Sequence, residues 1–403
     1  MQVINGRAQG LIALEDQYGA RNYDPLGIVV ARAEGVWLYD TEGRRYLDCI
    51  SAYSAVNQGH RHPRILAALT EQAQRVSLVS RAIHNARLGP FLEKLTTLCG
   101  FEMALPSNTG VEAIETAIKL ARRWSYDVKG VADNEAEIIV FTNNFHGRTA
   151  AAISASSEPN YRRGFGPFLP GFVLAPYGDI DALERAITPR TAAILIEPIQ
   201  GEGGVIVPPP GYLREARELC HQQRVLFIAD EIQTGLGRTG DLFACDHEDV
   251  KPDVLAVGKA LGGGFYPVSA ALASRELMTL FGAGEHGSTF GGNPLACAVA
   301  EAAIDVIVEE RLPERARELG IVLRNRLRAL GSTRIKEVRG RGLLIGIELD
   351  DSARRVAEAL LKKGIVAKDT HEHVLRIAPP LVIERDEIDL IAAALDEVLS
   401  ERT

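Results

Sequence analysis

The sequence predicts an α/β fold with a mostly parallel central sheet, and two alternating patterns support this prediction. Short apolar runs rich in branched residues, typical of strands covered on both faces, occur at 137–142, 172–176, 192–196, 225–229 and 254–257. Helical patterns occur at 110–124, ahead of the first run, and at 211–223, between two of the runs. Because strands and helices alternate, we expect a parallel sheet flanked by helices over roughly residues 45–295.

The two ends of the chain follow a different pattern. Residues 298–330 and 351–364 have the periodicity of amphipathic helices, and 341–349 and 373–378 resemble strands beside them. A second, smaller α+β unit is therefore expected. The predicted organisation is an N-terminal segment that joins the small domain (1–44), a large α/β domain (45–295) and a small C-terminal α+β domain (296–403).

Composition describes a mid-sized globular protein and excludes several other classes. The 403 residues are 46% hydrophobic and 24% charged, which argues against disorder, collagen and coiled coil. A net charge of −8 supplies no basic face for nucleic acid, and no apolar run approaches the ~20 residues of a membrane span. The amino terminus lacks a basic-then-apolar signal pattern, so we expect a cytoplasmic protein, and an enzyme.

A metal site is not expected from the cysteine and histidine pattern. The five cysteines are odd in number and contain no C-x-x-C pair, which indicates reduced, mostly buried thiols. They are Cys49, Cys99, Cys220, Cys245 and Cys297. His60 and His62 flank Arg61, but no third type of ligand clusters nearby, so we interpret them as loop histidines.

Residues 235–240 (GLGRTG) match the dinucleotide-binding pattern G-x-G-x-x-G literally. A dinucleotide fingerprint joins the first strand of a βαβ unit directly to its helix, whereas this segment follows a strand end that carries Asp230 and Glu231. We therefore interpret it as a surface turn that needs glycine and arginine, and not as a nucleotide site.

The segment 107–124 (SNTGVEAIETAIKLARRW) predicts a helix whose first turn is open to a ligand. Thr109 and Glu112 have the spacing of a capping box, and Gly110 lets another group approach the first turn closely. The free N–H groups and positive dipole end of such a helix suit a phosphate. A capped core helix without a ligand explains this segment equally well.

Two charged residues follow predicted strands at the point where open α/β sheets bind ligands. Asp230 comes directly after 225–229, and a buried carboxylate there needs a partner such as a protonated heterocyclic nitrogen. Lys259 follows 254–257 and precedes a glycine-rich stretch, where an amine can be desolvated and act as a nucleophile. Taken singly, Asp230 is ordinarily explained as an N-cap or a salt-bridge residue, and Lys259 as a surface lysine.

The combination favours one common ligand. Pyridoxal phosphate needs an anion cradle, an acidic partner for its ring nitrogen and a lysine for its aldehyde. The helix start at Gly110, the strand-end Asp230 and the strand-end Lys259 supply these three parts in order. The sequence therefore predicts a site for pyridoxal 5′-phosphate.

Motifs along nearly the whole chain resemble those of the class III aminotransferases, which are pyridoxal-phosphate enzymes of fold type I. Within that class the resemblance is strongest to the branch that acts on ornithine. It is carried by YGARNYDPLG, SAYSAVNQGHRHP, FHGRT, IEPIQGEGGV, FIADEIQTGLGRTG, GKALGGGFYPVSA, GEHGSTFGGNPLA and LRIAPPLVI. The set is very specific for the class and less specific for the substrate.

The resemblance implies a role for each residue around the cofactor ring. Lys259 would bind the cofactor aldehyde covalently, and Asp230 would pair with the ring nitrogen. Phe145 would stack on the ring, and Gln233 would contact its 3-hydroxyl group. Lys259 and Asp230 are therefore the predicted catalytic residues.

The resemblance also implies a phosphate site shared between two subunits. Gly110 and Val111 would donate backbone N–H groups to the phosphate. Thr289, beside Ser288, would reach the phosphate from the neighbouring subunit. A homodimer, with higher assembly left open, is therefore expected.

The substrate residues follow from the same resemblance. Tyr23, Tyr53 and Arg148 would hold the end of ornithine that carries the α-amino and carboxylate groups. Glu202 would pair with Arg376 while ornithine is bound, and would release it to the α-carboxylate of 2-oxoglutarate. Arg148 would then take the distal carboxylate of 2-oxoglutarate, because planar guanidinium groups suit carboxylates. His146 and Glu197 match family positions without a clear role.

The implied reaction is ping-pong transfer of the δ-amino group of L-ornithine to 2-oxoglutarate. Its products are glutamate and glutamate-5-semialdehyde, which cyclises to pyrroline-5-carboxylate. An N-acetylornithine or 4-aminobutyrate aminotransferase shares every cofactor motif and stays open, with Tyr53 as the expected discriminator. An aminomutase that needs no external oxo acid and a cofactor-binding regulatory protein are the remaining alternatives.

Overall fold

A computed structural model of the protein describes residues 6–401. The predicted N-terminal segment and C-terminal domain extend beyond this range at 1–5 and 402–403, which lie outside the described residues. Strands lie at β1 (Val30–Glu34), β2 (Trp37–Asp40), β3 (Arg45–Asp48), β4 (Met103–Ser107), β5 (Glu137–Phe141), β6 (Phe172–Ala175), β7 (Thr191–Ile196), β8 (Leu226–Asp230), β9 (Val254–Val257), β10 (Ser269–Ala273), β11 (Ile335–Arg341), β12 (Leu344–Leu349), β13 (Ile365–Val366), β14 (Lys368–Thr370) and β15 (Val374–Ile377).

Right-handed α-helices connect these strands and cover the sheets. They are Gly6–Tyr18, Pro63–Ala73, Leu88–Cys99, Gly110–Trp124, Ala150–Ser154, Pro159–Arg162, Ile180–Ala186, Tyr212–Gln222, Arg275–Met278, Pro294–Glu309, Leu312–Ala329, Ala353–Lys362 and Arg385–Ser400. A short turn at Ser51–Ser54 has left-handed backbone angles instead.

The central sheet has seven strands in the order β4-β10-β9-β8-β7-β5-β6. Only β10 runs antiparallel to its neighbours, which confirms the predicted mostly parallel sheet. The five apolar runs correspond to β5 to β9. Strands β4 and β10 were not predicted, because their sequences, MALPS and SAALA, lack the β-branched residues that mark the other strands.

Helices cover both faces of this sheet and complete its core. The predicted helix 110–124 is observed at Gly110–Trp124, and it packs on the sheet through a buried face that includes Ala113, Ile114, Ala117, Ile118 and Ala121. Each fully buried isoleucine of this kind stabilises the fold by roughly 1.5–3 kcal/mol. The central sheet is therefore a rigid support for the loops at its edge.

Two smaller sheets occupy the region built from the chain ends. Strands β11, β12, β15 and β14 form one antiparallel sheet, in which Arg376 pairs with Gly346 and Lys368. Strands β1, β2 and β3 form the other, and β13 extends it by pairing in parallel with β3. A strand from the C-terminal region thus completes the N-terminal sheet. The three-part division at 44/45 and 295/296 stays a prediction.

The register of the central sheet places the carboxyl ends of its parallel strands side by side. Asp230 at the end of β8 lies opposite Ala256 of β9, so Lys259 emerges beside it. Strands β4, β5 and β7 end at the same edge, just before Gly110, Phe145 and Glu197. Residues that are far apart in the chain therefore meet at one edge of the sheet.

The observed cysteines agree with the predicted reduced state. All five are free, and all except Cys99 are buried. No group of residues within 6–401 has the composition of a metal site. Among the same residues, no helix is both long enough and apolar enough to cross a membrane.

The interpretation of GLGRTG as a surface turn is wrong. Every residue of the segment 235–240 is buried, and the Arg238 side chain is fully inaccessible. The segment is enclosed because Gly237 and Gly240 lie against Pro313 and Arg317, and Gly342 lies against Thr239. Glycine is needed in this segment because neighbouring parts of the chain approach its backbone closely. A surface turn and a tightly packed loop therefore have the same glycine-rich composition, and the sequence does not distinguish them.

Candidate active site

A cavity of about 180 Å³ lies at the carboxyl edge of the central sheet. It brings together six of the residues that the sequence analysis assigned to the cofactor: Gly110, Val111, Phe145, Asp230, Gln233 and Lys259. His146 and Glu197, which had no assigned role, line the same cavity. The strand order explains this convergence, because each residue follows a parallel strand at the same edge.

Lys259 is held as a buried amine in the cavity wall. It follows β9 by one glycine and has a φ of 42°, which is unusual for a residue with a side chain. Burial lowers the pKa of Lys259, although the charges of Asp230 and Glu202 oppose this shift. The Nζ atom therefore carries a free electron pair more readily than a surface lysine does.

Asp230 and His146 form a buried hydrogen-bonded pair. The Nδ1 of His146 lies 2.7 Å from Oδ2 of Asp230, and the N–H of Ile232 donates to Oδ1 at 3.1 Å. Burial opposes the charged imidazole, but the hydrogen bond and charge of Asp230 outweigh it and raise the pKa of His146. The Nε2 atom of His146 has no hydrogen-bond partner among residues 6–401.

Glu197 adds a second buried carboxyl group to this cavity. Its Oε2 accepts a hydrogen bond of 2.9 Å from the N–H of Phe145, which fixes the loop after β5. Burial raises the pKa of Glu197 to about 8, and the nearby charge of Asp230 adds to the shift while His146 reduces it. Glu197 therefore holds its proton near neutral pH, whereas Asp230 has a hydrogen-bonded partner for its charge.

The opposite end of the cavity is shaped for an anion. The capping box of Thr109 and Glu112 is present, with Glu112 Oε2 accepting from the Thr109 N–H at 2.6 Å. A Cβ atom on Gly110 would lie 2.9 Å from the Ile232 side chain, and one on Gly147 would lie 2.4 Å from Val111. Glycine is therefore required at both positions for close packing, and neither residue places a side chain in the cavity at the helix N-terminus, where a phosphate could bind.

Ser288 and Thr289 lie outside this cavity in the chain. The Oγ of Ser288 accepts a hydrogen bond of 2.8 Å from Asn108 Nδ2, next to the start of the same helix. Thr289 is exposed and lines neither this cavity nor the adjoining one. The contact of Thr289 with a neighbouring subunit's phosphate stays a prediction.

A second, larger cavity of about 550 Å³ adjoins the first and shares Phe145 and Lys259 with it. Tyr23, Tyr53, Arg148 and Glu202, which were predicted to bind substrate, all line it. Arg376 lies behind Glu202, in β15. The lysine amine is thus accessible to a molecule held by these side chains.

The predicted pair of Glu202 and Arg376 is present. Arg376 Nη1 donates to Glu202 Oε1 at 2.5 Å, and Gln233 Nε2 donates to the same oxygen at 3.1 Å. Burial would raise the pKa of Glu202, but Arg376 outweighs it and lowers the pKa. Arg376 is 2% exposed, its Nη2 has no partner among the described residues, and its guanidinium lies 5.0 Å from the centre of the Tyr53 ring.

Arg148 is positioned by an aromatic residue that the sequence analysis missed. Its guanidinium lies 3.7 Å from the ring centre of Tyr161 and 5.3 Å from that of Phe145. Tyr161 also lines the substrate cavity. No motif carried Tyr161, because its contact with Arg148 depends on how the loop after Arg148 folds back.

Tyr53 lies in a left-handed turn that is uncommon for residues other than glycine. The φ angles of Ser51, Ala52, Tyr53 and Ser54 are all positive, between 46° and 72°. For L-residues this conformation costs roughly 1–2 kcal/mol each, so the surroundings must hold the turn in place. The Asp48 carboxylate does part of this by accepting from the N–H groups of Ile50 and Ser51 at 2.8 and 3.0 Å.

Comparison with known proteins matches this geometry to a family. Residues 18–399 match the family model described as aminotransferase class-III. The chain belongs to the class-III aminotransferases. An ornithine aminotransferase of a Geobacillus species (strain WCH70) is 59% identical over 379 residues, which cover 94% of this chain and 95% of that protein.

Solved structures of this class share the fold over nearly the whole chain. An ornithine aminotransferase from Toxoplasma gondii, crystallised with oxidised glutathione and with partial occupancy of pyridoxal phosphate, superposes with a TM-score of 0.96 at 44% identity. That match covers 97% of this chain and 94% of the other. An acetylornithine aminotransferase from Elizabethkingia anophelis has a TM-score of 0.89 at 48% identity, covering 97% and 98%.

Pyridoxal 5′-phosphate is the cofactor of this class-III aminotransferase. The chain fits it on its own observations: a glycine-lined helix start for the phosphate, a buried carboxylate, and a buried amine in one cavity. The unpaired buried Oε1 of Gln233 and Nε2 of His146 add polar atoms that a ligand can satisfy. The assignment of each predicted side chain to one cofactor atom stays a prediction.

Proposed function

We infer that this class-III aminotransferase transfers the δ-amino group of L-ornithine to 2-oxoglutarate. The products are glutamate and glutamate-5-semialdehyde, which cyclises to pyrroline-5-carboxylate. The observation that carries this inference is the buried pair of Glu202 and Arg376 beside Tyr53 in the substrate cavity. The ornithine aminotransferase of the Geobacillus species, 59% identical, supports the same substrate.

The chain's residues divide the chemical work around the bound cofactor. Pyridoxal phosphate, when bound, supplies an electron sink for a carbanion next to the reacting nitrogen. Asp230 offers a carboxylate to the ring nitrogen end, with His146 holding its orientation. Burial lowers the pKa of Lys259, which favours its role as a base. Its Nζ accepts the proton from the substrate δ-carbon and returns it to the other side of the reacting C–N unit.

Glu202 decides which end of the substrate faces Lys259. While Glu202 neutralises Arg376, that guanidinium is not available to an α-carboxylate. The α-amino and carboxylate end of ornithine is then held farther out by Tyr23, Tyr53 and Arg148, and the δ-amine extends to Lys259. With 2-oxoglutarate, Arg376 takes the α-carboxylate and Arg148 takes the distal one.

A second candidate is an aminotransferase for N-acetylornithine. It is favoured by the Elizabethkingia anophelis acetylornithine aminotransferase, which shares 48% identity and the same fold. Both substrates present the same δ-amine and α-carboxylate, so the difference lies at the α-nitrogen. Tyr53, which we expect to be smaller or aliphatic in relatives of that type, is the side chain that discriminates between them.

Assembly and location complete the proposal. We propose a homodimer that completes each phosphate site with Thr289 of the other copy, and a cytoplasmic location. The support for the first is that Thr289 and the neighbouring Phe290 are exposed beside the helix start that forms the anion site. The molar mass in solution by light scattering tests the dimer directly.

The deciding experiment is the visible absorption spectrum of the purified protein before and after L-ornithine, with no oxo acid present. A cofactor band that ornithine bleaches and N-acetylornithine hardly affects supports the proposed substrate. A band that only N-acetylornithine or 4-aminobutyrate bleaches moves the function to the second candidate. Formation of pyrroline-5-carboxylate after addition of 2-oxoglutarate then tests the complete cycle.

A further inference from the structure

Arg238, in the buried segment GLGRTG, is a fully buried cation with no ion-pair partner among residues 6–401. Burying an unpaired charge is unfavourable unless several hydrogen bonds compensate. Burial lowers the pKa of Arg238 to about 9, so the guanidinium remains charged at neutral pH. A leucine or methionine would fill such a space at a lower energetic cost, so the charge calls for an explanation.

The acceptors of Arg238 come from two separate parts of the chain, the segment 51–57 and the residues next to β12 and β15. Its Nη1 donates to the carbonyl oxygens of Leu343 at 3.0 Å and Pro379 at 2.7 Å. Its Nη2 donates to Asn57 Oδ1 at 2.5 Å and, at 3.4 Å, to Ser51 Oγ. The arginine thus connects the loop after β8 to the segment 51–57 and to the residues that flank β12 and β15 of the C-terminal sheet.

Two of these acceptors lie within three residues of a substrate residue along the chain. Ser51 precedes Tyr53 by two residues and opens the left-handed turn. Pro379 follows Arg376 by three residues. Ser51 Oγ also donates to the carbonyl oxygen of Ala378 at 2.5 Å, so the turn and the end of β15 are linked to each other as well as to Arg238.

The left-handed turn explains why this region needs such an anchor. A run of residues with positive φ is kept only where the surrounding structure determines it. Asp48 holds the start of this turn by accepting two backbone hydrogen bonds. Arg238 holds it from the other side by donating to the side chains of Ser51 and Asn57. Loss of the Arg238 contacts would let Tyr53 move relative to Arg376.

We propose that Arg238 is a positioning residue for substrate recognition, which holds the turn of Tyr53 and the strand of Arg376 in one geometry beside Lys259. The proposal rests on the proposed function in that Tyr53 and Arg376 contact the substrate. Arg238 touches neither the substrate nor the cofactor cavity. Its effect is transmitted through backbone carbonyl groups and through Ser51 and Asn57.

The test compares Arg238→Lys with wild type and with a matched control, Arg217→Lys. Lysine keeps the charge but offers a point charge in place of a planar fork, so it cannot span four acceptors. Arg217 also joins a backbone carbonyl, that of Lys251, to a side chain, Asp253, but lies away from both cavities. Both variants lose a planar guanidinium group, but only position 238 contacts residues close to Tyr53 and Arg376.

Three quantities are measured on each cofactor-loaded protein: KM for ornithine and for 2-oxoglutarate, the dissociation constant of glutarate by calorimetry, and the cofactor absorption spectrum. For Arg238→Lys we expect KM and the glutarate constant to rise about 10- to 100-fold, as for loss of one or two charge-assisted hydrogen bonds. The cofactor absorption spectrum should match that of wild type. Arg217→Lys should change none of the three.

Ser51→Ala keeps the proposal testable where Arg238→Lys folds poorly. It removes the link from the turn to Ala378 and one contact of Arg238, and alanine fits the same space. We expect the same direction of change with a smaller size. A variant with lowered thermal stability but wild-type KM and glutarate affinity would show a purely structural role and overturn the proposal.

Failure of the proposed function is distinguishable from failure of this inference. A wild-type protein that does not use ornithine refutes the function, whereas glutarate affinity still reports on the Arg148 and Arg376 site. Wild-type activity together with unchanged substrate affinity in Arg238→Lys and Ser51→Ala refutes the positioning role alone.

Discussion

The two adjoining cavities are built in different ways. The cofactor cavity is lined by residues that follow parallel strands of one sheet, so one set of backbone hydrogen bonds orients all of them. The substrate cavity combines the turn at Tyr53, the loop at Arg148 and the loop at Glu202, and β15 supplies Arg376 behind Glu202. No single sheet orients these four segments.

Backbone strain is distributed differently between the two cavities. In the wall of the cofactor cavity it falls on Lys259. Around the substrate residues it extends over the four residues of the turn at Ser51–Ser54, and Val205 near Glu202 also has a positive φ of 54°. The comparison indicates that cofactor binding depends on a regular sheet, whereas substrate choice depends on strained segments held by contacts between distant parts of the chain.

The largest expected effect is a loss of turnover, and it follows from removing the lysine amine that both cavities share. Lys259→Ala should lower turnover by more than about 10⁴-fold, because the proton carrier and nucleophile disappear together. Cofactor should still bind weakly through the anion site at Gly110, which equilibrium dialysis measures. Sustained transamination by this variant would remove Lys259 from its role.

The next effect concerns the substrate cavity alone. Glu202→Gln removes the charge that neutralises Arg376, so the α-carboxylate of glutamate can bind there. We expect the ratio of the bleaching rates with ornithine and with glutamate to fall about 10- to 100-fold, as for loss of a charged hydrogen bond. Stopped-flow absorbance measures the ratio.

The matched control is Glu348→Gln, which removes a carboxylate that pairs with Arg339 at 2.6 Å in the same C-terminal sheet. It should leave the ratio unchanged. Equal ratios in all three proteins would mean that Glu202 does not select the reacting end of the substrate. The comparison between the cavities would then lose its main functional support.

A smaller effect tests the electrostatics of the cofactor cavity through pH. Burial raises the pKa of Glu197 to about 8, so the folded chain keeps a proton that the unfolded chain loses above its ordinary value near 4.5. The native state therefore loses stability as pH rises from about 4.5 to 8. The side chain of Glu197→Gln does not ionise, so this variant should not show the fall in stability between pH 4.5 and 8.

We expect cofactor-free Glu197→Gln to have the same free energy of unfolding as wild type at pH 5 and a value about 1–3 kcal/mol higher at pH 8. This difference is part of the full linkage contribution of about 1.36 kcal/mol for each unit of pKa shift. Urea denaturation at the two pH values measures this. A stability difference that does not depend on pH would contradict the raised pKa of Glu197.

The smallest expected effect measures the strain of the turn itself. Ala52→Gly should stabilise the protein by about 0.5–1 kcal/mol, because release of left-handed strain exceeds the entropy that glycine adds to the unfolded chain. Ala55→Gly is the control, since Ala55 has right-handed angles and glycine should destabilise it. Destabilisation by both variants, measured by thermal unfolding, would show that the turn stores no strain.

Much of the fold was predictable because its signals are local. A buried parallel strand has a continuous apolar run, and a helix start has a capping residue three positions before its partner, so β5 to β9 and the helix at Gly110 were located from neighbouring residues alone. Strands β4 and β10 were missed because small residues in a tightly packed layer carry no such signal.

The candidate site was predictable where a motif carries the residue and unpredictable where only the fold brings it into contact. His146 lies within FHGRT, yet its hydrogen bond to Asp230 spans 84 residues. Tyr161 stacks on Arg148 without any motif of its own. Arg238 lies in a motif whose glycines indicate a surface turn equally well, and only its burial revealed the difference.

By itself the sequence determined the class of fold, the strand ends that carry Asp230 and Lys259, and the resemblance that named Glu202 and Arg376. The tertiary structure decided which distant groups form contacts that the sequence did not predict: His146 with Asp230 across 84 residues, and Arg238 with Asn57 across 181. The physical reason is range. Strand and helix signals depend on residues a few positions apart, whereas burial and ion pairing depend on segments that meet only after the sheets have formed.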